Sequence, residues 1–190
     1  MKNIFILVFL LFGSNQGMTQ KVNPKTTFIP KPTGFIYVPS NNLYASLPAF
    51  YVMKEPVKTS EYKDFILWLI AQKRMSDANF CMASIPKTIN PKAKYILLAS
   101  PKAIELYAEY MAIKLSNAKV QVKCHLVSTQ AWTQMKGPGE GKTVKNPYGI
   151  LFVKGMHEWE LNESGIAETY TDAAGNKSSG FRLVLSYILR

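Results

Sequence analysis

Four side chains in this chain have types suited to chemistry: Cys81, Cys124, His125 and His157. A pair of thiols could form a disulfide, and an imidazole could ligate a metal or act as a general base. A structural zinc site of the all-Cys/His kind is not expected, because neither Cys81 and Cys124 nor His125 and His157 stand at the close pair spacing such a site uses. No Cys or carboxylate stands at helical or hairpin ligand spacing beside His125. His157 adjoins Glu158, but neighbours in sequence point in different directions unless the backbone bends. Both histidines therefore read as packed or surface residues. Cys81 and Cys124 could pair in an oxidising compartment or lie apart as small buried hydrophobes, and the residues leave both readings open.

Two nucleotide or acyl-transfer patterns fail on spacing. Gly141-Lys142-Thr143 looks like the end of a phosphate-binding loop, yet the position five residues before Gly141 is Lys136, where that loop needs Gly. Pro147 follows where its helix would run. There is no Gly-x-Ser-x-Gly elbow, so no nucleophilic serine is marked. Catalytic, cofactor-binding and metal-ligating residues are accordingly none on this reading.

The elements that would position any site follow from periodicity and caps. Ser100-Pro101 reads as N-cap and first residue of a helix reaching Ser116, with Ile104, Tyr107, Ala108, Met111 and Leu115 as its buried stripe. A second helix is expected from about Ser60 to Lys73, capped by Thr59 or Ser60, with Tyr62, Phe65, Ile66 and Leu69 inward. Pro86 and Pro91 make 84–94 a loop leading into a short strand at Tyr95–Ala99. Further strands are expected at Gly34–Val38, Ala49–Met53, Val120–Cys124 and Gly180–Tyr187, with a surface turn at Gly137–Gly141. The sum is an α+β domain with much irregular structure.

The composition agrees with a folded domain: 190 residues, 47% hydrophobic and 18% charged. At the amino terminus Lys2 precedes the apolar run Ile4–Phe12, followed by small and polar residues. That run is too short to span a bilayer, which takes ~20 residues, and has the arrangement of a secretory signal peptide. We therefore expect 1–19 to be a signal peptide, 20–33 an extended segment and 34–190 the domain. The product would be exported, periplasmic or extracellular, with no transmembrane helix in the mature chain. The formal charge is +11. Its lysines are dispersed, without a block of five or a basic heptad, so nucleic acid is not an expected partner and the surface reads as generally basic.

A series of short segments adds a resemblance. Phe35-Ile36-Tyr37-Val38-Pro39-Ser40 is followed by Phe50-Tyr51-Val52-Met53-Lys54-Glu55-Pro56-Val57-Lys58-Thr59-Ser60-Glu61-Tyr62. Ser100-Pro101-Lys102-Ala103 comes next, and His125–Trp132 stands where a family has an "RLPTEAEW" segment. Asn146-Pro147-Tyr148-Gly149-Ile150, Gly155, Glu158-Trp159 and finally Gly180-Phe181-Arg182-Leu183-Val184 complete the order. Together these resemble the formylglycine-generating enzyme (sulfatase-modifying factor) superfamily over most of 34–185.

The resemblance implies a C-type-lectin-like fold. It also implies a departure from catalysis, because the family's oxidases hold copper(I) on two C-terminal cysteines near an "RGGSW" segment. This chain has no such segment and no Cys after Cys124. No cofactor is expected. The wording of 50–53 and 61–68 is similar to the gliding-motility and type IX secretion lipoproteins of this superfamily, which implies an envelope protein as partner and a role in interaction or assembly. A lectin-like binder of glycans or other anionic ligands is the alternative, and an oxidase of the formylglycine-generating type the second. A glycan binder would use exposed aromatics such as Trp68, Trp132 or Trp159. All three lie in motifs that pack the fold, so burial is the expectation, for Trp159 against the 100–116 helix or the terminal strand.

Overall fold

The apolar runs Phe35–Val38 and Phe50–Met53 are too short for helices and carry bulky side chains on both sides of a pleated strand, which suits a sheet covered on two faces. In the computed structural model they are β1 (Phe35–Val38) and β2 (Phe50–Met53), paired antiparallel with Phe35 opposite Met53 and Val38 opposite Phe50. The residues described are 31–40, 47–87, 90, 92–136, 148–169 and 179–189. The expected signal segment, the 137–141 turn and the Gly141-Lys142-Thr143 segment lie outside them.

Two longer strands complete the sheet. β3 (Val120–Leu126) and β6 (Leu183–Leu189) pair antiparallel from Val120 opposite Leu189 to Leu126 opposite Leu183. β2 pairs with β6 on its other side, giving the order β1-β2-β6-β3. A two-stranded hairpin, β4 (Glu160–Leu161) with β5 (Ala167–Glu168), stands apart from this sheet. The domain is thus α+β, with β3 at one edge of its main sheet.

Period-two alternation divides the strands between two cores. One face sends Phe35, Met53, Val122, Leu126, Leu183 and Leu185 against α1 (Thr59–Ala71), α2 (Met75–Ala83) and α3 (Pro101–Leu115). Between these helices and the sheet, the rings of Tyr62, Phe65, Tyr107 and Phe181 meet at centroid distances of 5.3–5.9 Å. Each such pair contributes ~0.5–1.5 kcal/mol beyond its buried area. The opposite face sends Val38, Phe50, Val52 and Val184 against Ala131, Trp132 and Met135 of α4 (Thr129–Lys136).

The helix α3 follows the expected stripe, with Ile104, Tyr107, Ala108 and Met111 buried and Leu115 partly so. The inner face of α1 is also as expected, but its cap is not Thr59 or Ser60. Lys58 occupies the cap position, its N–H donates to Glu61 Oε2 at 3.0 Å, and Thr59 Oγ1 is turned aside to donate to Ala93 O at 2.6 Å. Tyr95–Ala99 forms no continuous strand. Only Tyr95 and Leu98 make isolated bridges, to Lys58 and Ser179, because the segment is anchored to two different partners. The terminal strand begins at Leu183 and not at Gly180, which bridges Glu158 instead.

Candidate functional site

Position at the sheet edge gives β3 its chemical character. An edge strand offers its outward N–H and C=O groups to whatever lies beside it. The N-terminal end of this edge is already closed: Val120 N–H donates to Asn117 Oδ1 at 3.0 Å, Asn117 N–H donates to Val120 O at 2.9 Å, and Val122 N–H donates to Ser116 Oγ at 2.9 Å. Even-numbered residues of β3 therefore turn their backbone groups outward, while the odd-numbered ones face β6. The far end is closed as well, since Leu161 N–H of β4 donates to Val127 O at 2.9 Å and His125 Nδ1 donates to Leu126 O at 2.7 Å. Between these closures, Val122 C=O, Cys124 N–H, Cys124 C=O and Leu126 N–H point outward with no partner among the described residues.

A groove of about 630 Å³ runs along this open window. Its wall is Ile104, Ala108 and Ala112 on the sheet-facing side of α3, and Leu161 and Ala167 of the β4–β5 hairpin close one end. Glu105 and Glu109 stand on the rim, each already satisfied: Lys102 Nζ reaches Glu105 Oε2 at 3.0 Å and Arg74 Nη1 reaches Glu109 Oε1 at 2.8 Å. On the strand side, Lys123 and His125 are exposed.

The two cysteines lie in separate elements and are both free thiols, so they form no disulfide. Cys81 is fully buried in α2, where burial raises its pKa. Cys124 is partly buried under α3 at the groove, and burial pushes its thiol up to about 12. A copper(I) site needs two thiolates converging on one open position. Thiols divided between a core helix and an edge strand do not fit it, and among the described residues no group of three or more His, Cys, Asp or Glu side chains could hold a metal ion. His157 is exposed and away from the groove lining.

Of the three tryptophans, Trp159 is 3% exposed and packs with Phe181 and Leu183, its Nε1 donating to Leu98 O at 2.9 Å. Trp132 is buried on the opposite face of the sheet. Trp68 is partly buried, stacked near Phe65 and Tyr110 with the Arg74 guanidinium 5.9 Å from its ring centroid. None of them lines the groove.

Sequence reasoning did not find the groove. A polar-apolar alternation through Gln121-Val122-Lys123-Cys124-His125-Leu126 signals a strand with one wet face, but nothing local says which strand will stand at an edge. It also overlooked Arg182. This side chain is fully buried, donates to both Glu158 oxygens and to Leu151 O, and sets its guanidinium over the adjoining rings of Trp132 and Phe152, 5.1 and 5.3 Å from their centroids.

No family model, no curated protein and no solved structure matches the chain. Among the described residues, no helix is long and apolar enough to cross a membrane.

Proposed function

We propose that this is an exported, non-catalytic interaction or assembly protein, a divergent relative of the formylglycine-generating enzyme superfamily with its C-type-lectin-like fold, working in the cell envelope with a protein partner, as the secretion and gliding-motility members of that superfamily do. The observation that carries the binding role is the groove between α3 and the open edge of β3, which offers an apolar wall and unsatisfied backbone groups to a macromolecule. The family reading is supported by how its two C-terminal blocks meet. Trp159 N–H donates to Gly180 O and Gly180 N–H to His157 O, both at 2.9 Å, and Arg182 pairs with Glu158. Export rests on the Lys2/Ile4–Phe12 segment, and the non-catalytic reading on cysteines that match no block of the family pattern.

The test is fractionation of native cells followed by a 1 M salt wash of the envelope. Screening at 1 M shortens the Debye length to ~3 Å and strips a protein held by diffuse charge, while a packed interface survives. Cleaved protein retained on the washed envelope is the expected result. Uncleaved protein in the cytosol would refute export, and complete release by salt would refute assembly.

A further inference from the structure

We infer that the open edge of β3 takes an extended, acidic segment of a partner protein as an added β-strand. The inference rests on the binding role proposed above and specifies the chemistry of the partner. Strand addition needs three things: unpaired backbone groups at strand spacing, a wall for alternate side chains, and room for a main chain about 4.8 Å away. Val122 C=O, Cys124 N–H and C=O, and Leu126 N–H supply the first. At ~3.3 Å per residue they form a window for about five residues of added strand. Ala108 and Ala112 are small, so α3 leaves space for inward side chains there, and the groove lies alongside.

The closures at each end argue that this window is a bounded site and not merely an unfinished edge. Ser116 and Asn117 terminate it on one side and β4 on the other. An added strand therefore has a defined length and a defined register.

Charge selects the occupant. The side chains on the wet face of β3 are Gln121, Lys123 and His125, exposed and without an acidic residue among them. An added strand would set its outward side chains beside these, where Asp or Glu is favoured and Lys or Arg is not. Glu105 and Glu109 on the helix side are already paired with Lys102 and Arg74, so they do not repel such a segment. The excess of Lys and Arg over Asp and Glu also steers an acidic partner toward the chain. A second copy of this chain, joined β3 to β3, would bring two Lys123 side chains to the same face and is disfavoured by the same argument.

The test uses the purified protein and a fluorescent heptapeptide, Glu-Val-Glu-Ala-Glu-Val-Glu, followed by anisotropy and by amide hydrogen exchange. We expect saturable binding, protection of the Cys124 and Leu126 amides, and at least tenfold weaker binding for a peptide N-methylated at alternate residues. Lys123→Glu is on the exposed face and preserves the core. It should weaken the acidic peptide about tenfold, equivalent to ~1.4 kcal/mol, and improve a Lys-for-Glu version. Equal binding of the N-methylated peptide, no saturation, or a dimer that protects the same amides without peptide would each overturn the inference. If salt-resistant envelope retention is unchanged by Lys123→Glu and by excess peptide, the assembly role stands and strand addition falls. If the wild type is not retained while the peptide titration succeeds, the reverse holds.

Discussion

Arg182 and Glu158 form an ion pair with Nη2 2.6 Å from Oε1 and Nε 2.8 Å from Oε2, the arginine side chain wholly buried and the glutamate 6% exposed. A carboxylate so placed cannot find water if its partner is removed. Arg182 also donates to Leu151 O at 2.9 Å, so one side chain ties the last strand to the 151–158 segment.

Arg182→Ala should therefore destabilise the domain by ~3–5 kcal/mol, mainly through the stranded Glu158. Urea unfolding of the double variant Arg182→Met/Glu158→Leu should recover much of that loss. A single variant that unfolds like wild type would show that the pair is not buried as described.

Trp159→Ala should cost ~3–5 kcal/mol, the range for deleting a large buried aromatic. Trp159→Phe should cost less in packing and removes the indole donor from Leu98 O, which keeps the Ser179 N–H at 3.2 Å, so that loss should be ~0.5–1.5 kcal/mol. Thermal denaturation of both variants separates the two effects. If the alanine variant melts with wild type and loses partner binding instead, the tryptophan belongs to a binding surface.

The parts of the fold legible in the sequence were those with a wide apolar stripe. α1 and α3 bury four or more positions at helical spacing, so 3.6-residue periodicity reveals them. α2 buries only Ala78 and Cys81 among its nine residues and carries Ser, Asp and Asn, which weaken any helical signal. α4 is eight residues long and entered the reading only as part of a motif block. The 95–99 run misled because burial of Ile96 and Leu98 mimics a strand, whereas its bridges go to separate segments. The groove depends on strand order, a long-range property that no local pattern encodes.

Glu55 predicts a pH dependence. Burial opposes its charge, but hydrogen bonds from Lys58, Lys94 and Tyr95 prevail and hold its carboxyl down at about 2. An unfolded glutamate titrates near ~4.3, so the folded value is the lower one. This stabilisation is whole above the unfolded value and is lost as pH falls from there through 2. Because the carboxylate is partly exposed, screening keeps it below ~1 kcal/mol. The stability gap between wild type and Glu55→Gln should be present at pH 7, be clearly reduced at pH 2 and disappear below it. An unchanged gap at pH 2 would contradict the assignment.

Thiol labelling offers a fourth measurement. With Cys124 raised to about 12 and Cys81 fully buried, alkylation of the native chain by iodoacetamide at pH 8 should be slower than in urea by roughly a hundredfold or more, following the thiolate fraction. Native rates equal to those in urea would place both thiols in solvent.

The central strand β6 comes after every other described element, yet β3 has no other strand partner in the main sheet and β2 has only β1 besides. While the chain is being made, β3 cannot join the β1–β2 pair until the residues beyond Gly180 have left the ribosome. The pairings are also distant in sequence, which slows closure. The sheet therefore closes only once β6 has been made, and a chain that has not reached Leu183 leaves one side of β2 and both sides of β3 without a strand partner.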